Sequence, residues 1–94
     1  MTINAGQYAF SLMGHDKGEL FVVIDIDEEK GLVYLADGKS RKVEKPKKKN
    51  IKHIQIINKT DEEIAGIFAS GIPTDEEIKR AIKRYVDSKE NGGL

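Results

Sequence analysis

The sequence predicts a mainly β protein with an α-helical appendage: a small five-stranded barrel over residues 1–58, two helices over residues 59–90 packed on it, and a flexible tail at 91–94. Three observations carry this. The first half alternates apolar and polar residues at the period of two that half-buried strands show. Its strand-like runs are short, near-regularly spaced and joined by glycine-containing turns, a pattern that favours a closed barrel over an open sheet with exposed edges. The second half switches to helical spacing, and the pentapeptide Thr-Asp-Glu-Glu-Ile opens both helical stretches, at Thr60 and again at Thr74.

In residues 7–12, Tyr8, Phe10 and Leu12 fall on one strand face and Gln7, Ala9 and Ser11 on the other. Met13-Gly14-His15-Asp16-Lys17-Gly18 reads as a loop because two glycines bracket polar residues. Residues 19–26 form the strongest strand, with Leu20, Val22, Ile24 and Ile26 on one face and Phe21 and Val23 opposite. Apolar residues on both faces mark it as central. Asp27-Glu28-Glu29-Lys30-Gly31 is a polar turn with Gly31 suited to positive φ. Residues 32–36 give a third strand, and Asp37-Gly38 is a hairpin signal leading to a fourth, polar edge strand at 39–43. Pro46 is expected to stop that strand, and residues 51–57 supply the fifth.

Each threonine of the repeated pentapeptide is expected to cap a helix, with the glutamate three positions on completing a capping box. The first helix spans about 61–69, with Ile64, Ile67 and Phe68 as its apolar stripe, and Ser70-Gly71-Ile72-Pro73 ends it. The second spans about 75–88 and places Ile78, Ala81, Ile82, Tyr85 and Val86 on one face. These helices are expected to cover the barrel and enlarge a small core.

The 94 residues fit one small domain, with 38% hydrophobic and 34% charged residues and a formal net charge of zero. No apolar run is long enough for a membrane helix, and MTINAGQYAF lacks the basic leader and apolar stretch of a secretory signal. A cytoplasmic protein is therefore expected. The chain has no cysteine, so disulfide frameworks and thiolate metal sites are excluded.

Against this neutral background, residues 37–54 carry eight basic side chains and only two acidic ones, Asp37 and Glu44. Such a local excess suggests a polyanion partner, most often nucleic acid, although a solvated lysine loop has the same composition. Lysines there would neutralise phosphates and position a nucleic acid without reading its bases. Arg41 is the best candidate for a specific contact because its planar fork makes bidentate bonds or stacks. The loop from Gly14 to Gly18 either presents amides and Lys17 to a phosphate or is an ordinary tight connection. Asn50 and His53 either meet ribose and base edges or cap a turn and pack in the barrel, with packing favoured for His53. Tyr8, Phe10 and Tyr34 are core residues more readily than stacking platforms. His15 and Asp16 are adjacent with no nucleophile organised beside them, and the two histidines stand far apart, so neither catalysis nor a metal site is expected.

Residues 6–54 resemble the KOW family of RNA-binding domains. The resemblance rests on Gly6, Gly14-His15-Asp16-Lys17-Gly18, Phe21-Val22-Val23-Ile24, Tyr34, Asp37-Gly38, Arg41-Lys42-Val43 and Asn50-Ile51-Lys52-His53-Ile54. It is greatest to small KOW-bearing proteins of the large ribosomal subunit and to stand-alone bacterial proteins like them. It implies an SH3-like barrel and binding to structured RNA, with ribosomal RNA the expected target and the large subunit and translation the expected setting. Glu19 stands where a basic residue is common in the family. The helical part lies outside the resemblance.

Together these readings assign RNA contacts to Lys17, Lys39, Arg41, Lys42, Lys45, Lys47, Lys48, Lys49, Asn50 and Lys52. They expect no cofactor and a monomer when free. The rival reading is an SH3-like protein-interaction module acting on a transcription or translation factor. Within the basic segment, a rigid contact around Arg41 on the fourth strand is expected beside a flexible lysine clamp at 45–49.

Overall fold

The computed structural model describes residues 2–91, so three of the four residues of the expected tail, Gly92, Gly93 and Leu94, lie outside it. The chain forms β1 (Gln7–Ser11), β2 (Leu20–Asp27), β3 (Leu32–Ala36), β4 (Lys47–Asn50), a 3₁₀ turn (Ile51–His53), β5 (Ile54–Thr60), α1 (Glu62–Phe68) and α2 (Asp75–Asn91). The five strands make one antiparallel sheet in the order β4-β3-β2-β1-β5. The strand richest in apolar residues, β2, sits at the centre of that order, as its two greasy faces require.

Two cores lie on opposite faces of the sheet. One gathers Ile3, Ala9, Phe21, Val23, Val33, Leu35 and Ile54, with Ile26, Ile51 and Ile56 against them. The other joins Tyr8 and Val22 of the sheet to Ile64 of α1 and to Ile78, Ala81 and Tyr85 of α2. The helices therefore share a core with β1 and β2, and Ile64, Ile78 and Ala81 are completely buried there. Burying each isoleucine there stabilises the fold by roughly 1.5–3 kcal/mol, and the smaller Ala81 contributes less. The helical periodicity predicted this stripe, but Val86 at its end is 42% exposed.

Several boundaries differ from the sequence reading, each for a physical reason. Ile24 and Ile26 fall in different cores because the ladder between β2 and β3 shifts register between Val23 and Asp25. An extra residue in one strand of a pair turns the following side chains to the other face. Residues 39–43 are not a strand. Asp37 holds them in a compact loop: its Oδ1 accepts the amides of Lys39 (2.8 Å) and Arg41 (2.9 Å), and its Oδ2 accepts the Ser40 hydroxyl (3.1 Å). Aspartate competes with ladder pairing in just this way. The fourth strand starts after Pro46, where a missing N–H costs the ladder nothing. The expected lysine clamp at 45–49 is thus largely strand β4. The fifth strand begins at Ile54 because Asn50 caps a 3₁₀ turn before it.

The repeated pentapeptide caps its two helices differently. At the second copy the capping box forms: the Glu77 amide donates to Thr74 Oγ1 (3.2 Å) and the Thr74 amide donates to Glu77 Oε1 (2.8 Å). At the first copy Thr60 is still paired with Gln7 in β5, so Asp61 takes the cap and its Oδ1 accepts the Ile64 amide (3.1 Å). The second helix runs on past residue 88 to Asn91, so Asn91, expected as the first residue of the tail, is helical. No described helix is long and apolar enough to cross a membrane.

Candidate nucleic-acid interface

The connection from β3 to β4, residues 37–46, carries the centre of the basic segment and is fixed at three places. Asp37 folds it locally, as described above. Gly38 is buried at φ +78° against α2, where a Cβ would strike the Asp75 carbonyl oxygen. Left-handed backbone and close approach together require glycine there. The amide of Val43 donates to Asp75 Oδ1 (2.8 Å), and the Val43 side chain packs into the helix-side core. The loop is therefore docked on the N-terminal end of α2, which the sequence reading did not anticipate.

Lys39, Arg41, Lys42 and Lys45 all stand exposed on this loop. Among the described residues none of them forms a salt bridge. Lys42 Nζ only donates weakly to the Gly38 carbonyl (3.4 Å). The cations of α2 are in a different situation. Lys79 pairs with Glu76 (2.7 Å), Arg80 with Glu63 (2.9 Å), Lys83 with Asp87 (3.1 Å) and Arg84 with Asp61 (2.8 Å). Among the described residues, the loop thus gathers four exposed cations without a salt bridge on one short segment, with Glu44 the exposed acid beside them.

Strand β4 divides its lysines by the pleat. Lys48 lies opposite Tyr34 and is exposed, as are Asn50 and Lys52 beyond it. Lys47 and Lys49 turn to the other face, toward Asp16. Lys49 is 9% exposed, and its Nζ donates to Asp16 Oδ1 (2.6 Å) and to the Met13 carbonyl (2.7 Å). Lys47 Nζ stands 3.6 Å from Asp16 Oδ2. Ser11 Oγ also donates to Asp16 Oδ1 (2.7 Å). Burial alone would push the Asp16 carboxyl up, but hydrogen bonds from Lys49 and Ser11 and the two lysine charges hold it down at about 2. Lys49 is therefore committed to a buried ion pair, and Lys47 is partly committed to the same carboxylate. That removes Lys49 from the predicted contact set. Its role was invisible in the sequence because Asp16 lies thirty-three positions away and no local pattern links them.

The remaining predicted residues separate in the same way. Asn50 accepts the Lys52 amide (2.9 Å), the turn-capping alternative. In the glycine-bracketed loop, the amides of Lys17, Gly18 and Glu19 donate to the carbonyls of Gly14, Ser11 and Asp16, so they are not available to a phosphate. That part of the loop is a tight connection, with the Lys17 side chain exposed on it. Tyr8 is core, at 1% exposure, and burial followed by the neighbouring Asp61 pushes its hydroxyl well above the ordinary tyrosine value. Tyr34 is half-buried on the outer face beside Asp25, Asp27 and Glu28, an acidic setting unsuited to a stacked nucleotide.

The loop at 37–46 and the loop at 14–18 meet across an open groove of about 340 Å³, whose walls include His15, Glu19, Ser40, Arg41 and Lys47. This brings Arg41 and Lys47 together from separate elements. Glu19 sits in the same groove, so the acidic departure noted in the sequence lies beside Arg41. No protein-family model matches the chain, and a search of curated proteins finds no match.

A larger open cavity of about 750 Å³ lies on the other side, lined by Tyr8, Lys59, Glu63, Arg84 and Tyr85 around Asp61. The Arg84 guanidinium grips both Asp61 oxygens (2.8 and 2.9 Å), and Tyr8 Oη lies 3.2 Å from Asp61 Oδ2. The Arg84 hydrogen bonds hold the Asp61 carboxyl below the ordinary carboxylate range. This network ties β1 to both helices and commits Asp61 and Arg84 to each other. Among the described residues, no three His, Cys, Asp or Glu side chains converge as a metal site.

Proposed function

We propose that the protein is an RNA-binding protein of KOW type that contacts the phosphates of structured RNA, with ribosomal RNA the expected target. The contacts come from Lys39, Arg41, Lys42 and Lys45 on the docked loop, with Lys48, Lys52 and Lys17 at its margins. The observation that carries this reading is a contrast in pairing: Lys39, Arg41, Lys42 and Lys45 stand exposed on one docked loop with no salt bridge among the described residues, whereas Arg80 and Arg84 of α2 are held by Glu63 and Asp61. Exposed cations without a salt bridge gain most from a phosphate because no ion pair must be broken first.

The proposed fold is an SH3-like barrel. In support, Val33 and Leu35 are completely buried on the sheet face that carries no helix. On that face they meet Ile3, Ile51, Ile54 and Ile56 rather than a helix of the appendage, which suits a sheet curled around them. The 3₁₀ turn also leads directly from β4 to β5, the two ends of the strand order. Ribosome association and a role in translation belong to the same proposal and rest on the resemblance.

The reading is tested by filter binding of ribosomal RNA at low salt to the wild type and to K42E/K45E/K48E. Binding by the wild type that the triple charge reversal abolishes, with the melting temperature retained, supports the proposal. Absence of wild-type binding, or binding unaffected by the reversal, overturns it.

A further inference from the structure

Docking of the 37–46 loop on α2 creates a second groove, of about 490 Å³, between the loop and the helix. Its size is within the roughly 300–1,000 Å³ of small-ligand sites. The floor is aliphatic: Leu20 from β2 and Ile82 and Val86 from α2. Lys39 rims it from the loop, and Lys79 and Lys83 rim it from the helix. The helical period explains the arrangement, since positions 79, 82, 83 and 86 are spaced by three, four and seven and share one face. Leu20 and Ile82 are half-buried, and Val86 is 42% exposed, so the floor is open to solvent.

The groove also holds Glu19 and Asp37. The Asp37 carboxylate is turned into its own loop, where three donors occupy it. Lys79 and Lys83 have partners in Glu76 and Asp87, but these are surface pairs within one helix, of the weak kind that yields to a phosphate.

We propose that this groove receives an unstacked nucleotide, so that the protein prefers single-stranded or looped RNA to a continuous duplex. The inference rests on the RNA-binding reading above and deepens it. An apolar floor suits a base face, and the three lysines suit the flanking phosphates. Lys39 belongs both to the proposed phosphate-binding loop and to the groove rim, so one strand spans the two sites. A base paired within a helix cannot enter; a base in a loop or bulge can.

The test uses the full chain with two probes at low salt: a labelled oligouridine decamer and a blunt RNA duplex of equal length. The wild type is expected to bind the single strand more tightly. The surface variant K83A/V86N is expected to weaken oligouridine binding at least fivefold and duplex binding less than twofold. Oligouridine is also expected to shift the methyl NMR resonances of Leu20, Ile82 and Val86 in the wild type. Equal losses for both RNAs, or methyl resonances that stay still while RNA is bound, overturn the groove assignment. If K42E/K45E abolishes RNA binding while K83A/V86N leaves it intact, the RNA reading stands and the groove inference falls. If the wild type binds ribosomal RNA but neither probe, the groove inference falls; if it binds none of the three, the RNA reading itself fails. Movement of the same methyls with an acidic amphipathic peptide but not with oligouridine overturns the inference in favour of a protein partner.

Discussion

Lys48 and Lys49 are adjacent and chemically identical, yet the structure gives them different jobs. Replacing Lys49 with methionine keeps most of its aliphatic volume and removes its charge. Asp16, buried at 9% exposure, then loses a hydrogen bond of 2.6 Å and its nearest cation. Breaking one partner out of a buried pair costs about 3–5 kcal/mol. Lys47, 3.6 Å from the other oxygen, offsets part of that by closing on the carboxylate. The expected net loss is about 2–3 kcal/mol. For a domain of this size each 1 kcal/mol moves the melting point by about 4–8 °C, so Lys49→Met should lower Tm by roughly 10–20 °C. Lys48→Ala, exposed and without a salt bridge, should leave Tm within about 3 °C, since surface substitutions are usually worth under about 0.5 kcal/mol. Circular-dichroism melts and urea titrations measure this, and RNA affinity is measured below both transitions. There Lys48→Ala should weaken binding several-fold and Lys49→Met should not. The double variant D16N/K49M should regain stability over Lys49→Met, because no buried charge is then left unpaired. A Lys49→Met protein with wild-type Tm and weakened RNA binding would refute the division of the lysines.

Other predictions concern the framework. The Asp16 carboxyl is held at about 2 and Asp61 is also lowered, so both stabilise the fold above the ordinary carboxylate pKa near 4 and lose that contribution as pH falls toward 2. For Asp16 the pH-dependent contribution is on the order of 2 kcal/mol, and urea midpoints should drop between pH 4 and 2 with a shallower drop in D16N. Asp61→Ala removes the α1 cap and the Arg84 clamp together and should cost about 3 kcal/mol in urea unfolding, the low end for a paired carboxylate because Arg84 remains partly solvated. Gly38→Ala combines a positive φ with a collision at Asp75 and should destabilise by about 2–4 kcal/mol, with weaker RNA binding because the loop is displaced from α2.

Much of the framework was legible in the sequence because it is written in local periodicity. The apolar run around Val22, greasy on both faces, marked the central strand, and the spacing of Ile78, Ala81 and Tyr85 marked the buried stripe of α2. The capping box at Thr74 was readable for the same reason, since all its parts lie within four residues. What was misread depends mostly on distant partners, with the Asp37 loop contacts the local exception. Asp37-Gly38 is a hairpin signal in isolation, but Gly38 is pressed against α2 and Asp37 is occupied by three loop donors. The lysine run looked uniform because charge has no periodicity of its own. Only the pleat of β4 and the position of Asp16 separate Lys49 from Lys48. Thr60 looked equivalent to Thr74 until its pairing with Gln7 moved the cap to Asp61.

The central claim is that the docked loop and its neighbours bind RNA by releasing counterions, and the salt dependence of binding tests it most directly. Each phosphate neutralised contributes about −0.7 to −0.9 to the slope of log K against log salt concentration. With Lys39, Lys42, Lys45 and Lys48 all replaced by alanine, the slope should be shallower by about 3 than that of the wild type on the same ribosomal RNA fragment. A slope unchanged by the four substitutions, in a variant that melts at the wild-type temperature, would place the RNA contacts elsewhere and contradict the account.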